Sequence, residues 1–328
     1  MLRRPAALFL LKLGLAGLAL GLLVRTTSPE ALRSVLLHAH PGWALAALAL
    51  LPLNVTLEAY RWHRLVARVA PETSFGASLR AVVGGYPMGL LTPARVGDYV
   101  GRALYLRTVS PGVSAALTFA ERMATLACCL VFGLVALVPF AAEHLPRAPL
   151  WPALAGLSAA ATAALLAGLL YPQAAQAALS LALPFRRARR TLVVFRRFAT
   201  ADTAVLLALS AVRYAVFTAQ FVLLVRALAP EAAWLPATTA VALVFFVKSA
   251  VPQVTLGDLG IRESAAVFFL SAYGVAEAAA LHASLGVFVI NLLLPALAGV
   301  PLMLHLRLGS AVAEPAARRA AHPAPAGA

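Results

Sequence analysis

The sequence predicts an all-α polytopic membrane protein with six full transmembrane helices and two re-entrant broken-helix hairpins in an inverted repeat. Three observations predict it: the composition, the length of the apolar runs, and one short phrase that occurs twice inside them. Of 328 residues, 62% are hydrophobic and 12% charged, too apolar for a soluble domain of this size. The net charge of +15 gathers in loops between apolar runs, as lipid headgroups and membrane orientation require, so nucleic acid is not expected as a partner.

A helix needs about 20 mostly apolar residues to cross the hydrocarbon, and six runs qualify: 6–24, 43–60, 113–140, 150–170, 203–226 and 279–304. The first follows Leu2-Arg3-Arg4 and exceeds the apolar core of a signal peptide, so it reads as a retained span. Two further apolar runs, 76–108 and 237–273, are each interrupted at their middle. The interruptions are Leu91-Thr92-Pro93-Ala94-Arg95-Val96-Gly97-Asp98-Tyr99-Val100-Gly101-Arg102 and Val251-Pro252-Gln253-Val254-Thr255-Leu256-Gly257-Asp258-Leu259-Gly260-Ile261-Arg262. Both read Pro, a short spacer, Gly-Asp, three residues, Arg. Pro removes a backbone donor and Gly beside Asp suits a turn, so each run becomes two half-helices around a break. The adjacent Cys128 and Cys129 neither bridge each other nor form a metal site alone.

Charge decides whether the broken runs cross. Arg186, Arg187, Arg189, Arg190, Arg196 and Arg197 sit in one short stretch without an acid, and such loops face the cytoplasm. With Arg3 and Arg4 inside, two spans bring Arg61, Arg64 and Arg68 inside. The six-arginine loop joins them only if run 76–108 turns back. The second run then dips in from outside, and both termini are cytoplasmic, in the cytoplasmic (inner) membrane. The transmembrane domain covers 1–308, with repeat halves at about 43–140 and 203–304, the arrangement of many secondary transporters. Segment 174–199 reads as a basic amphipathic surface helix, and the Ala- and Pro-rich tail 309–328 as disordered.

A charge near the bilayer centre costs about 2.5–3.5 kcal/mol on insertion scales, so such residues pair or face a cavity. The candidate substrate-binding residues are Asp98, Arg102, Glu121, Arg122, Asp258, Arg262 and Glu263, with Arg95 and Lys248 behind them. Only three Asp occur in the chain, and two are Asp98 and Asp258. Asp and Arg four apart share a helix face and can pair; alternatively each Asp caps its outgoing half-helix. Arg102 and Arg262 suit bidentate phosphate binding. Glu121 and Arg122 point in different directions, so each needs a partner elsewhere, the opposite hairpin being the candidate. Asn54, Glu58, Arg61, Arg213 and Asn291 read as helix-to-helix hydrogen bonding, and Trp62, Trp151 and Trp234 as interfacial belt residues. The seven His show no metal spacing, and no phosphate loop, HExxH or nucleophile elbow occurs. No cofactor or metal is expected.

Tyr60-Arg61-Trp62, the Pro93 to Arg102 phrase, Glu121-Arg122, and Pro252 through Gly257, Gly260 and Arg262-Glu263 occur in an order that resembles the flippase-like membrane region of lysylphosphatidylglycerol synthases. The resemblance runs from about residue 10 to 305, and the second phrase is poorer in glycine than the family's usual wording. It implies movement of an amphipathic lipid between leaflets, an aminoacylated phospholipid or a polyprenyl-linked molecule. In such synthases aminoacyl transfer belongs to a separate soluble domain after the membrane region. The chain ends soon after its last span, so that activity is not expected and the protein does not read as an enzyme. The leading reading is a translocase of anionic, aminoacylated or polyprenyl-linked lipid. A proton-coupled small-solute transporter and a non-catalytic membrane partner of a lipid synthase or glycosyltransferase are the alternatives.

Overall fold

In a computed structural model of the chain, residues 37, 39–92, 95–106, 108–144, 151–182, 191–250 and 260–303 are described. The expected span at 6–24, residues 251–259 with Asp258, and the tail 309–328 lie outside them. Among the described residues every regular element is helical: α1 (Pro41–Ala49), α2 (Leu51–Ala67), α3 (Phe75–Leu90), α4 (Val96–Tyr105), α5 (Pro111–His144), α6 (Trp151–Leu170), α7 (Pro172–Ala182), a 3₁₀ turn at Val193–Arg197, α8 (Thr200–Leu228), α9 (Trp234–Ala250), α10 (Ile261–Ala272), α11 (Glu277–Phe288) and a π-helical turn at Val289–Leu293. Five stretches are long and apolar enough to cross a membrane: Pro41–Ala67, Pro111–His144, Trp151–Leu170, Thr200–Leu228 and Glu277–Met303. They coincide with five of the six expected spans.

The broken runs are helical pairs. At about 1.5 Å per residue, the 16 residues of α3 and 10 of α4 reach roughly 24 and 15 Å, short of the roughly 30 Å of hydrocarbon. Between them Arg95 takes a left-handed conformation (φ 53°). Thr92 closes the turn, its hydroxyl donating to the Met88 carbonyl at 3.0 Å and accepting from the Gly97 amide at 2.6 Å. The cap therefore comes from Thr92 and not from Asp98, which lies in the first turn of α4 with its carboxylate engaged elsewhere. The two helices meet backbone to backbone. A Cβ on Gly101 would stand 2.7 Å from Gly85 Cα, and one on Gly97 2.0 Å from the Met88 carbonyl oxygen. Small residues at such contacts let helices approach where lipid supplies no hydrophobic drive.

Contacts between elements fix the direction of each helix. Cys128 and Phe132 of α5 meet Leu207 and Tyr214 of α8 in rising order, so these two run parallel. The end of α2 meets the start of α8, where Arg68 pairs with Asp202 and Arg197 reaches the Val69 carbonyl at 3.5 Å. Thr73 and Thr108, flanking the first hairpin, share a hydroxyl contact of 3.2 Å near that same end. At the other end His40 bonds to Ala227, Trp43 stacks edge-on against Trp234, and His144 reaches the Ala272 carbonyl at 3.2 Å. The residues flanking α3 and α4 thus lie near one end of the bundle, and the start of α9 and the end of α10 near the other.

Apolar side chains are buried in two clusters. One gathers around α8, α9, α10 and α11, the other around α2, α3 and α5. Helix α6 buries only Thr162 and presents Leu154 and Leu157 outward, the exposure expected of a helix facing lipid. The described residues of segment 174–199 include most of α7 and the 3₁₀ turn, tied by Arg196 Nε donating to Gln176 at 3.2 Å; residues 183–190, with Arg186, Arg187, Arg189 and Arg190, lie outside the described residues.

The close approach yields a stability test. Gly97→Ala forces α3 and α4 apart and should lower stability by about 1–3 kcal/mol, the usual cost of overpacking. Gly156→Ala on α6, where a Cβ meets nothing within 4 Å, should be neutral or stabilising by up to about 1 kcal/mol. Thermal unfolding of the purified protein in detergent checks both.

Candidate functional site

The site is built from the residues that break the apolar pattern. Arg102, in the last turn of α4, is 2% exposed, and a buried guanidinium needs every donor met. Its Nε donates to Asp98 Oδ1 at 3.0 Å, Nη1 to Glu121 Oε2 at 2.6 Å, and Nη2 to Glu58 Oε1 at 2.6 Å and Asp98 Oδ2 at 3.3 Å. One cation thus ties α2, α4 and α5 together. The Trp62 ring lies 5.5 Å from its centre.

Three carboxylates around one arginine leave negative charge, which further cations meet. Arg213 of α8 donates to Glu58 Oε2 at 2.7 Å, and the Tyr86 hydroxyl donates to the same oxygen at 2.6 Å. Arg122 reaches Asp98 Oδ2 at 2.5 Å and lies over the Tyr99 ring. Arg61 stands 3.8 Å from Glu121 Oε1 and donates to the Glu121 carbonyl at 2.9 Å and the Thr125 hydroxyl at 2.8 Å. Arg95 Nη2 lies 3.9 Å from Asp98 Oδ2.

On the second side, Arg262 Nη2 donates to Glu263 Oε1 at 2.5 Å and its Nε to Ser284 at 2.9 Å. The other oxygen of Glu263 accepts from the Gly260 amide at 2.7 Å, capping α10. A cavity of about 410 Å³ opens between the two groups, lined by Arg61, Arg95, Arg102, Arg122, Arg213, Lys248 and Arg262 with Glu58 and Glu121. Phe245 and Val287 from one apolar cluster and Leu292 from the other also line it.

Of the residues singled out from sequence, Asp98, Arg102, Glu121, Arg122 and Arg95 converge in one network, and Arg262 with Glu263 forms a second, smaller one. Lys248 is on the cavity wall, and Asp258 lies outside the described residues. Glu121 and Arg122 find their partners on α2 and α4, not on the opposite hairpin. Glu58, Arg61 and Arg213, read as helix-to-helix bonding, belong to the network. The available signal was that each is a charge within a span, hence in need of an opposite charge. Asn54 does bond between helices, its amide donating to Asn291 and, at 3.3 Å, to Gln220. Trp62 is no belt residue: it is fully buried, its indole donating to Thr118 at 3.2 Å, because α2 runs on past it to Ala67. Trp234 is 47% exposed and stacks with Arg226, as a belt residue would.

Fold and site define a polytopic membrane protein with a charged cavity inside its helical bundle. The profile of the family described as lysylphosphatidylglycerol synthase TM region matches residues 9–299, and the chain belongs to that family. No curated protein and no solved structure gave a match.

Removing a buried partner of an ion network costs about 3–5 kcal/mol. Arg102→Met, which takes from three buried carboxylates the cation they share, should therefore unfold the protein or lower its thermal midpoint far more than Arg68→Met, whose pair with Asp202 is solvent-exposed. Differential scanning fluorimetry in detergent separates the two.

Proposed function

We propose that the chain is a lipid translocase of the cytoplasmic membrane that receives an anionic headgroup in the cavity between its two hairpins. The observation that carries this reading is the cavity wall: seven cationic side chains face a space inside the bundle, where unpaired charge is costly. Family membership supports a lipid as the cargo. The short hairpins, entering from opposite ends, support an inverted repeat with re-entrant elements, whose sites form near the membrane midplane. The end bearing Arg64, Arg68, Arg196 and Arg197 is the cytoplasmic one on this reading, and both termini lie there. The chain performs no covalent chemistry of its own; a lipid-modifying enzyme acts before or after it.

Arg102 organises the site, since its donors are spent on carboxylates. The headgroup contacts fall to Arg122 and Arg213, each holding one carboxylate. Losing a hydrogen bond to a charged group costs about 1.5–3 kcal/mol, about ten- to a hundredfold. In liposomes carrying a headgroup-labelled anionic lipid, the protein should accelerate transbilayer movement, and Arg122→Gln or Arg213→Gln should slow it at least about tenfold. Unchanged rates in both variants would refute the site assignment, and no movement with the unaltered protein would refute the translocase reading.

A further inference from the structure

Resting on that reading, we infer that the cavity selects a multiply charged phosphoryl group, a phosphomonoester or diphosphate, and rejects an aminoacylated headgroup. Two observations carry it. The first is charge: among the described residues the seven lining cations face four carboxylates, Glu58, Asp98, Glu121 and Glu263. With Asp258 of the second phrase counted against Lys248, the surplus is two positive charges. A phosphodiester brings one negative charge and leaves half of this surplus. A phosphomonoester or diphosphate brings two or three and cancels it. An aminoacyl group adds an ammonium to a space already too positive, where the low dielectric magnifies repulsion.

The second observation is the set of unused donors. Nε of Arg61, Arg122 and Arg213, and both Nε and Nη2 of Arg95, are buried with no hydrogen-bond partner among the described residues. All four residues line the cavity, and Arg61 is only 1% exposed. Buried donors in folded proteins are nearly always met, and an array of N–H groups from several directions matches the oxygens of a phosphoryl group. An ammonium has no acceptor to offer them.

The same chemistry is present in a phosphorylated lipid and in free diphosphate, so the test includes both. The full chain in nanodiscs of phosphatidylcholine is titrated with a polyprenyl monophosphate, phosphatidic acid, phosphatidylglycerol, lysyl-phosphatidylglycerol and inorganic diphosphate, with binding read by native mass spectrometry. The two phosphomonoester lipids should bind at least about tenfold more tightly than phosphatidylglycerol, and lysyl-phosphatidylglycerol most weakly. Arg122→Gln with Arg213→Gln should erase the preference, while Arg68→Gln at the bundle's end should not. If the double variant fails to fold, Arg122→Gln alone carries the test, since Asp98 keeps Arg102 as its partner. Lysyl-phosphatidylglycerol binding as tightly as the phosphomonoesters would overturn the inference. Phosphomonoester preference without transbilayer movement would keep it and sink the translocase reading. Arg122-dependent movement of the lysyl lipid would do the reverse. Binding of diphosphate with neither phosphomonoester lipid would support the phosphoryl site and overturn a lipid as its source.

Discussion

One guanidinium constrains the first half of the bundle. Arg102 sits where water does not reach, and an isolated ion there would cost several kcal/mol. It is tolerated because three carboxylates from three elements, Glu58, Asp98 and Glu121, converge on its planar fork. Lysine has neither the fork nor the reach to meet three acids at once. The helices α2, α4 and α5 are therefore held in one relative placement by an interaction that geometry makes all or none.

The same constraint generates the cavity's character. Three acids around one base require more base, and Arg61 of α2, Arg122 of α5 and Arg213 of α8 supply it. Each uses part of its fork on an acid and leaves a buried Nε without a partner among the described residues. These leftover donors belong to side chains that line the cavity. The turn contributes too: Arg95, held at φ 53°, is the one non-glycine residue among those described with a left-handed backbone. Such a conformation costs of order 1–3 kcal/mol and persists where surroundings over-determine it; here Tyr86 and Asp98 fix its side chain.

Spans and breaks were legible in the sequence because they depend on local properties, apolar length and the backbone chemistry of Pro, Gly and Asp. The Asp98–Arg102 pair was legible for the same reason, being one helical turn long. Glu58 and Arg213 were not, because their partnership joins residues 155 apart and no periodicity reports a contact across a bundle. Trp62 was misplaced for a simpler reason: hydropathy falls at Arg61 and the apparent span ends there, whereas the helix continues and the arginine is buried at 1% exposure. A buried ion pair mimics a membrane boundary in any local reading of hydropathy. The cap at Thr92 was hidden because Asp is the stronger capping residue by propensity, and tertiary partners claimed it first.

The repeated phrase drew attention to two hairpins, yet the surplus charge belongs to neither alone. The first hairpin brings Arg95 and Arg102 against Asp98, the second Lys248 and Arg262 against Glu263, and the long helices Arg61, Arg122 and Arg213 against Glu58 and Glu121. With Asp258 counted in the second phrase, two positive charges remain, one from the first hairpin and one from the long helices. A ligand that cancels them must therefore address both, which a compact polyanion between them does and a singly charged group at one of them does not. Arg102 already bridges the two groups through Glu58 and Glu121, so the surplus is held beside the space that these residues line.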